Sequence, residues 1–169
     1  SPLYTEVMEG QFMKYIDDGY APECWIYSTY DLTHGEINVA QAITYSCNYF
    51  YYTVGDMMKI EQLDTVAKAM GLGESTGIEI FEYTGLQPEN NAGENQAPWA
   101  AFGQSNQLYT PLQLANYTAT IANGGTRYKT HFVKSVKSHD YSQTVYETQP
   151  EIVAQTGISA ETLDTVKRG

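Results

Sequence analysis

The stretch TPLQLANYTATIANGG, residues 110–125, constrains this chain more than any other, because it signals both the start and the stop of one helix. Thr110 can cap the helix. Pro111 suits the first turn, where its missing N–H is not needed, and Gln113 completes a capping box. Gly124 and Gly125 end it. Leu112, Leu114, Ala115, Thr118, Ile121 and Ala122 leave mostly apolar faces, so the helix is expected to be buried on most sides. Such a helix needs neighbours. With 169 residues, 42% of them hydrophobic, the chain can supply one domain with a real core.

Those neighbours can be read in part. Residues 1–37 read as irregular, with a short helix around Glu6–Tyr15. Asn38 then caps a helix, with Gln41 three residues on and Val39, Ala42 and Ile43 at helical spacing. The pattern stops near Ser46 and restarts with Phe50, Val54, Met57 and Met58 on one face. A third helix runs from about Glu61, with Leu63, Val66, Ala67 and Met70 inward. Gly71 ends it and Leu72 makes the following hydrophobic contact. Thr76–Glu82 alternates like a short strand, and residues 84–98 read as a loop. His131–Tyr146 predicts a hairpin turning across His139–Ser142. Ser159 opens a last helix with Ile158, Leu163 and Val166. That helix runs to the end of the sequence at Gly169, so the chain is expected to be part of a longer domain.

Charge and composition exclude several classes. A net charge of −11 argues against a nucleic-acid partner and against docking on an anionic membrane. No run of 18 apolar residues is present to span a bilayer, and SPLYTEVMEG does not read as a signal peptide. Cys24 and Cys47 make no disulfide framework and are expected to remain small buried thiols. His34, His131 and His139 lie far apart, none at ligand spacing from another, so no metal is expected. GESTG, residues 73–77, matches a hydrolase nucleophile elbow in letters only, because a helix precedes it and a strand-like segment follows, the reverse of that motif. The sequon at Asn116–Thr118 falls inside a helix expected to be packed and is discounted.

ITYSCNYFYY, residues 43–52, raises a different question. It is an apolar and aromatic run interrupted by two polar residues, Ser46 and Asn48, and buried polar groups cost free energy unless hydrogen-bonded. In alternating geometry Ser46 and Asn48 project together while Cys47 turns inward. A hydroxyl and an amide on a rigid corner between helices can face a cleft. Spacing alone equally fits a helix C-cap, where serine and asparagine bond backbone groups.

The wider sequence resembles the transpeptidase domain of class B penicillin-binding proteins. HGEINVAQAITYSCNYFYYTVG is similar to the family's segment bearing its Ser-x-Asn motif, and MGLGESTGIEIFE to the glycine-punctuated link after it. FGQSNQLYTPLQLANYTATIANGG resembles the long buried helix and its lead-in; HFVKSVKS and ISAETLDTVKRG resemble the two elements that follow. The resemblance covers roughly residues 22–169. Ser105 departs from it, standing where the family usually has glycine after Gly-Gln. Of the family's three motifs only Ser-x-Asn is present, at Ser46–Asn48. No serine has lysine three residues on, and Lys129-Thr130 is followed by His131 rather than glycine.

The resemblance implies an α+β, mainly helical fold: a partial penicillin-binding protein/serine β-lactamase-like transpeptidase fold lacking most of its central antiparallel sheet. Residues 1–169 would be a single incomplete domain, with the nucleophile segment upstream and the Lys-Thr/Ser-Gly strand downstream. The implied activity is serine D,D-transpeptidation, cross-linking peptidoglycan stem peptides, with this chain inactive alone. Ser46 would pass a proton to the leaving nitrogen; Asn48 would bind substrate peptide groups and orient the lysine. Expected partners are stem peptides, β-lactams and proteins of the division or elongation machinery, with no cofactor and no nucleic acid. The location implied is the extracytoplasmic face of the bacterial membrane, with the parent anchored by an N-terminal segment. A D,D-carboxypeptidase, a β-lactamase or β-lactam sensor, and a non-catalytic cell-wall scaffold are the alternatives. A serine–lysine pair upstream, or its absence, separates the enzymes from the scaffold.

Overall fold

A computed structural model describes residues 23–89 and 96–169, together with the backbone of a short strand at 5–7. The chain divides into two compact units. One contains Ser1–Thr65, Pro88–Gln107 and Ser159–Gly169; the other contains Val66–Gln87 and Leu108–Ile158.

The first unit is mainly helical. Strand β1 (Thr5–Val7) pairs antiparallel with β2 (Glu36–Asn38). Helix α1 (Trp25–Tyr30) precedes β2; α2 (Val39–Thr44) and α3 (Asn48–Met57) follow it, and α4 (Ile60–Ala69) begins in this unit. The expected capping box forms at α2: the Asn38 side chain accepts from the Gln41 N–H, and the Gln41 side chain accepts from the Asn38 N–H. Cys24, Ile37, Ala42, Cys47, Tyr49 and Phe50 make the core, with Ile26, Val39, Tyr51 and Val54 against them.

Helix α5 (Ala97–Ala101) lies against α3. A Cβ at Gly55 would fall 2.6 Å from the Ala97 carbonyl oxygen and 2.7 Å from the Ala101 Cβ, so only glycine permits this approach. Beside it Tyr52 meets Phe102 at 4.4 Å and Trp99 edge-on at 5.3 Å between ring centroids. Helix α7 (Ala160–Arg168) is capped by Ser159, buries Leu163 and packs on α2, where the Thr44 hydroxyl donates to the Gly169 carbonyl.

In the second unit Gly71 closes α4 as expected. It takes φ +90°, and the Leu72 N–H reaches back to the Ala67 carbonyl. Helix α6 (Pro111–Ala122) carries its predicted cap, and its Gln113 does more than cap. Fully buried, Gln113 accepts from the Thr110 N–H and donates to the carbonyls of Glu74 and Thr84 at 2.8 Å each. Strand β3 (Thr126–Tyr128) pairs with β6 (Ile152–Gln155), and β4 (Ser135–Lys137) pairs with β5 (Thr144–Glu147) around the predicted turn. The described strands thus pair two by two, in three separate ladders.

Several expectations are corrected. Residues 23–37 are not irregular, since α1 and the start of β2 lie there. Of the helix expected at 6–15, residues 6 and 7 are strand and the rest lies outside the described residues. Residues 76–82 form no strand: Ser75 Oγ, the Thr76 N–H and hydroxyl and the Gly77 N–H all converge on the Glu82 carboxylate, and the chain curls around that anion. Helix α3 buries Tyr49, Phe50, Tyr52 and Gly55, and leaves Met57 exposed. Val66 on α4 is exposed. Helix α6 is not buried on most sides. Its polar stripe faces inward, with Gln113 and Thr120 buried and Asn116 donating to the Tyr128 carbonyl, while Leu114, Ala115, Thr118 and Ala122 are exposed.

Candidate functional site

The corner between α2 and α3 is built from backbone geometry. Tyr45 ends α2. Ser46 then takes the left-handed conformation, φ +51°. The Ser46 N–H bonds the Ile43 carbonyl and the Cys47 N–H bonds the Ala42 carbonyl, at 3.0 and 2.9 Å. This is the two-bond helix termination usually completed by glycine. The next residue starts another helix at once: the Cys47 sulfur caps α3 by accepting from the Phe50 N–H at 3.4 Å. The Trp25 indole N–H pins the corner from α1 by donating to the Tyr45 carbonyl at 2.9 Å.

The side chains divide by this geometry. Cys47 is fully buried, Ser46 is exposed and Asn48 is half-buried. Ser46 and Asn48 line one shallow groove of about 250 Å³ with Ala42, Ile43, Tyr51, Ala101 and Phe102. Among the described residues neither side chain spends its polar atoms on a cap, so the C-cap at this corner is a backbone affair. Among the described residues the lining holds no lysine, histidine or carboxylate. A hydroxyl without such a neighbour keeps an alcohol's weak nucleophilicity.

Behind the corner the fold brings together residues that sequence spacing leaves apart. Cys24, His34 and Cys47 have their ligand-type atoms within 4.8 Å of one another. The two sulfurs lie 4.0 Å apart and are not bonded. Burial pushes the Cys47 thiol up to about 12 against the pull of the Phe50 N–H, and burial also lowers His34. Spacing between histidines could not reveal this cluster, because its members are the cap residues before α1 and α3 and a loop residue between α1 and β2. The usable signal was that both cysteines flank the segment carrying His34.

The profile of the penicillin-binding protein transpeptidase domain matches residues 11–169. The chain belongs to this family. Curated relatives of this chain include penicillin-binding protein 2B of Streptococcus pneumoniae, 32% identical over 131 residues, which are 75% of this chain and 19% of that one. Peptidoglycan D,D-transpeptidase MrdA of Acinetobacter baumannii is 31% identical over 112 residues, 60% of this chain and 17% of that one. Stage V sporulation protein D of Bacillus subtilis is 30% identical over 152 residues, 89% and 23%. Among solved structures, Streptococcus pneumoniae penicillin-binding protein 2B superposes with a TM-score of 0.75 at 25% identity, covering 98% of this chain and 29% of that one. The chain therefore spans about a fifth of the length of the curated relatives it matches.

Proposed function

We propose that this chain is the middle of the transpeptidase domain of a class B penicillin-binding protein, which cross-links peptidoglycan stem peptides by serine acyl transfer. The observation that carries the reading is the corner itself. Ser46 and Asn48 reach one groove from a rigid turn, and the residue between them anchors that turn in the core. In this reading the nucleophilic serine and its lysine come from sequence before this stretch, and the Lys-Thr/Ser-Gly strand and most of the central sheet from sequence around it. The exposed apolar face of α6 supports the last point, since such a face calls for cover. Ser46 relays the proton to the departing D-alanine nitrogen. Asn48 donates to and accepts from the stem peptide and orients the lysine.

The parent would work outside the cytoplasmic membrane, held by an anchor beyond this stretch; among the described residues no helix is long and apolar enough to cross a membrane. Partner proteins are proposed from likeness of fold alone: one solved neighbour is a complex of Helicobacter pylori PBP2 with MreC, at 21% identity.

A fluorescent penicillin tests the reading. The intact protein is expected to be labelled on a serine outside residues 1–169, and this chain alone to stay unlabelled. Ser46→Ala in the intact protein is expected to slow acylation about 10²–10⁴-fold without abolishing it. Labelling of the isolated chain, or an unchanged acylation rate in Ser46→Ala, would overturn the assignment.

A further inference from the structure

We propose that Cys24, His34 and Cys47 form a binding site for one zinc-type divalent cation. The three residues belong to separate stretches. Cys24 is the residue before α1, His34 lies between α1 and β2, and Cys47 is the residue before α3. Cys24 Sγ lies 3.6 Å from His34 Nδ1 and 4.0 Å from Cys47 Sγ. In a tetrahedral zinc site, bonds of about 2.3 Å to sulfur and about 2.0–2.1 Å to nitrogen give S–S edges of about 3.8 Å and S–N edges of about 3.5 Å. The two separations from Cys24 sit close to these edges, and the third, from His34 to Cys47, is within 4.8 Å. They are far from a disulfide, whose sulfurs would be about 2.0 Å apart.

Buried thiols often serve only as small hydrophobic groups. Two features distinguish this cluster. The His34 ring is held in place, stacked on Tyr45 at 5.3 Å and 10° and edge-on to Trp25 at 5.9 Å. The Phe50 N–H already points at Cys47 Sγ, the kind of outer hydrogen bond that steadies a thiolate ligand. Both cysteines are fully buried while His34 is only half-buried, so the imidazole side offers the route of entry. Two sulfurs and an imidazole favour zinc over calcium or magnesium. Three protein ligands leave a fourth position for water or another donor. Bound there, the cation would tie the α2–α3 corner to α1 and to the loop bearing His34, behind Ser46 and Asn48. The site stands on its own geometry, whether or not those two residues act on stem peptides.

The test uses the intact protein, reduced and stripped of metal with a chelator, then titrated with Co(II) and Zn(II). One Co(II) per chain is expected, with the visible bands of a tetrahedral ion and a thiolate-to-cobalt charge-transfer band that Zn(II) abolishes. Cys24→Ser, Cys47→Ser and His34→Ala should each weaken zinc binding at least about 100-fold, beyond the usual loss for an outer-shell partner. Circular dichroism checks the fold of each variant. Should the cysteine variants fail to fold, protection of both wild-type thiols from alkylation by Zn(II) reads the same site. Absence of the charge-transfer band in the reduced wild-type protein would overturn the proposal. So would a band undiminished in the folded variants, or a mass two hydrogens low in protein that takes up no metal. Penicillin labelling is read separately, so failure of the metal site and failure of the transpeptidase reading are distinguishable.

Discussion

At Ser105 the backbone takes φ +84°, a region that costs an L-residue about 1–2 kcal/mol and glycine almost nothing. The Ser105 hydroxyl lies 2.9 Å from the Gln96 side-chain oxygen and 3.1 Å from that of Asn106, which returns part of the cost. A partly exposed hydrogen bond is worth about 0.5–1 kcal/mol. Ser105→Gly is therefore expected to stabilise the protein by about 0.5–1 kcal/mol, read as a raised Tm; a lower Tm would mean that the hydroxyl contributes more than the strain removes. The departure from the family's glycine was legible in the sequence, but its meaning needed the dihedral angle. The same holds at Ser46, Cys47 and Asn48. Alternation gave the direction of each side chain, whereas the left-handed turn that sets those directions left no mark in the letters, because serine is an uncommon residue to hold it.

Helices are where local chemistry speaks most directly. The caps at Asn38, Thr110 and Ser159 form as their sequences predict, since each is decided within four residues. Helix α1 was missed because Cys24 makes no side-chain cap bond and its first turn carries no acidic residue. The strand expected at 76–82 failed for another reason: alternation fits a pleat, yet four donors converging on Glu82 hold the segment in a curl. On α6, periodicity showed apolar faces on several sides and could not say that the polar stripe would be the one turned inward. The α3–α5 contact yields a test at this scale. Gly55→Ala puts a methyl into the Ala97 backbone and the Ala101 side chain, and neither is a flexible end that can move aside. A loss of about 1–3 kcal/mol in chemical denaturation is expected from overpacking. An unchanged midpoint would show that the two helices separate at little cost.

Across the molecule, acid is expected to act on the second unit through carboxylates held as anions. Burial opposes ionisation of Glu82, but the Ser75, Thr76 and Gly77 donors outweigh it and keep the carboxyl below its ordinary 4.5. The Ser138 and Ser142 side chains and the Ser142 N–H hold Asp140 at about 2, down from 3.8. Both groups bind protons less readily folded than unfolded, so their stabilisation is complete above the unfolded values. It is lost as pH falls from about 3.8 towards about 2 for Asp140, and below 4.5 for Glu82. Amide NMR should show Thr76 and Gly77 titrating with a midpoint under 4.5, and Ser142 near 2; midpoints at the ordinary values would refute the anion-centred turns. The α2–α3 corner has a consequence of another kind. Glycine would hold φ +51° at Ser46 without strain, so thermal robustness on its own favours losing the side chain. In the proposed reading, a serine at that position marks a spot where durability and chemistry pull in opposite directions, and engineering for heat resistance alone would tend to erase the hydroxyl that faces the groove.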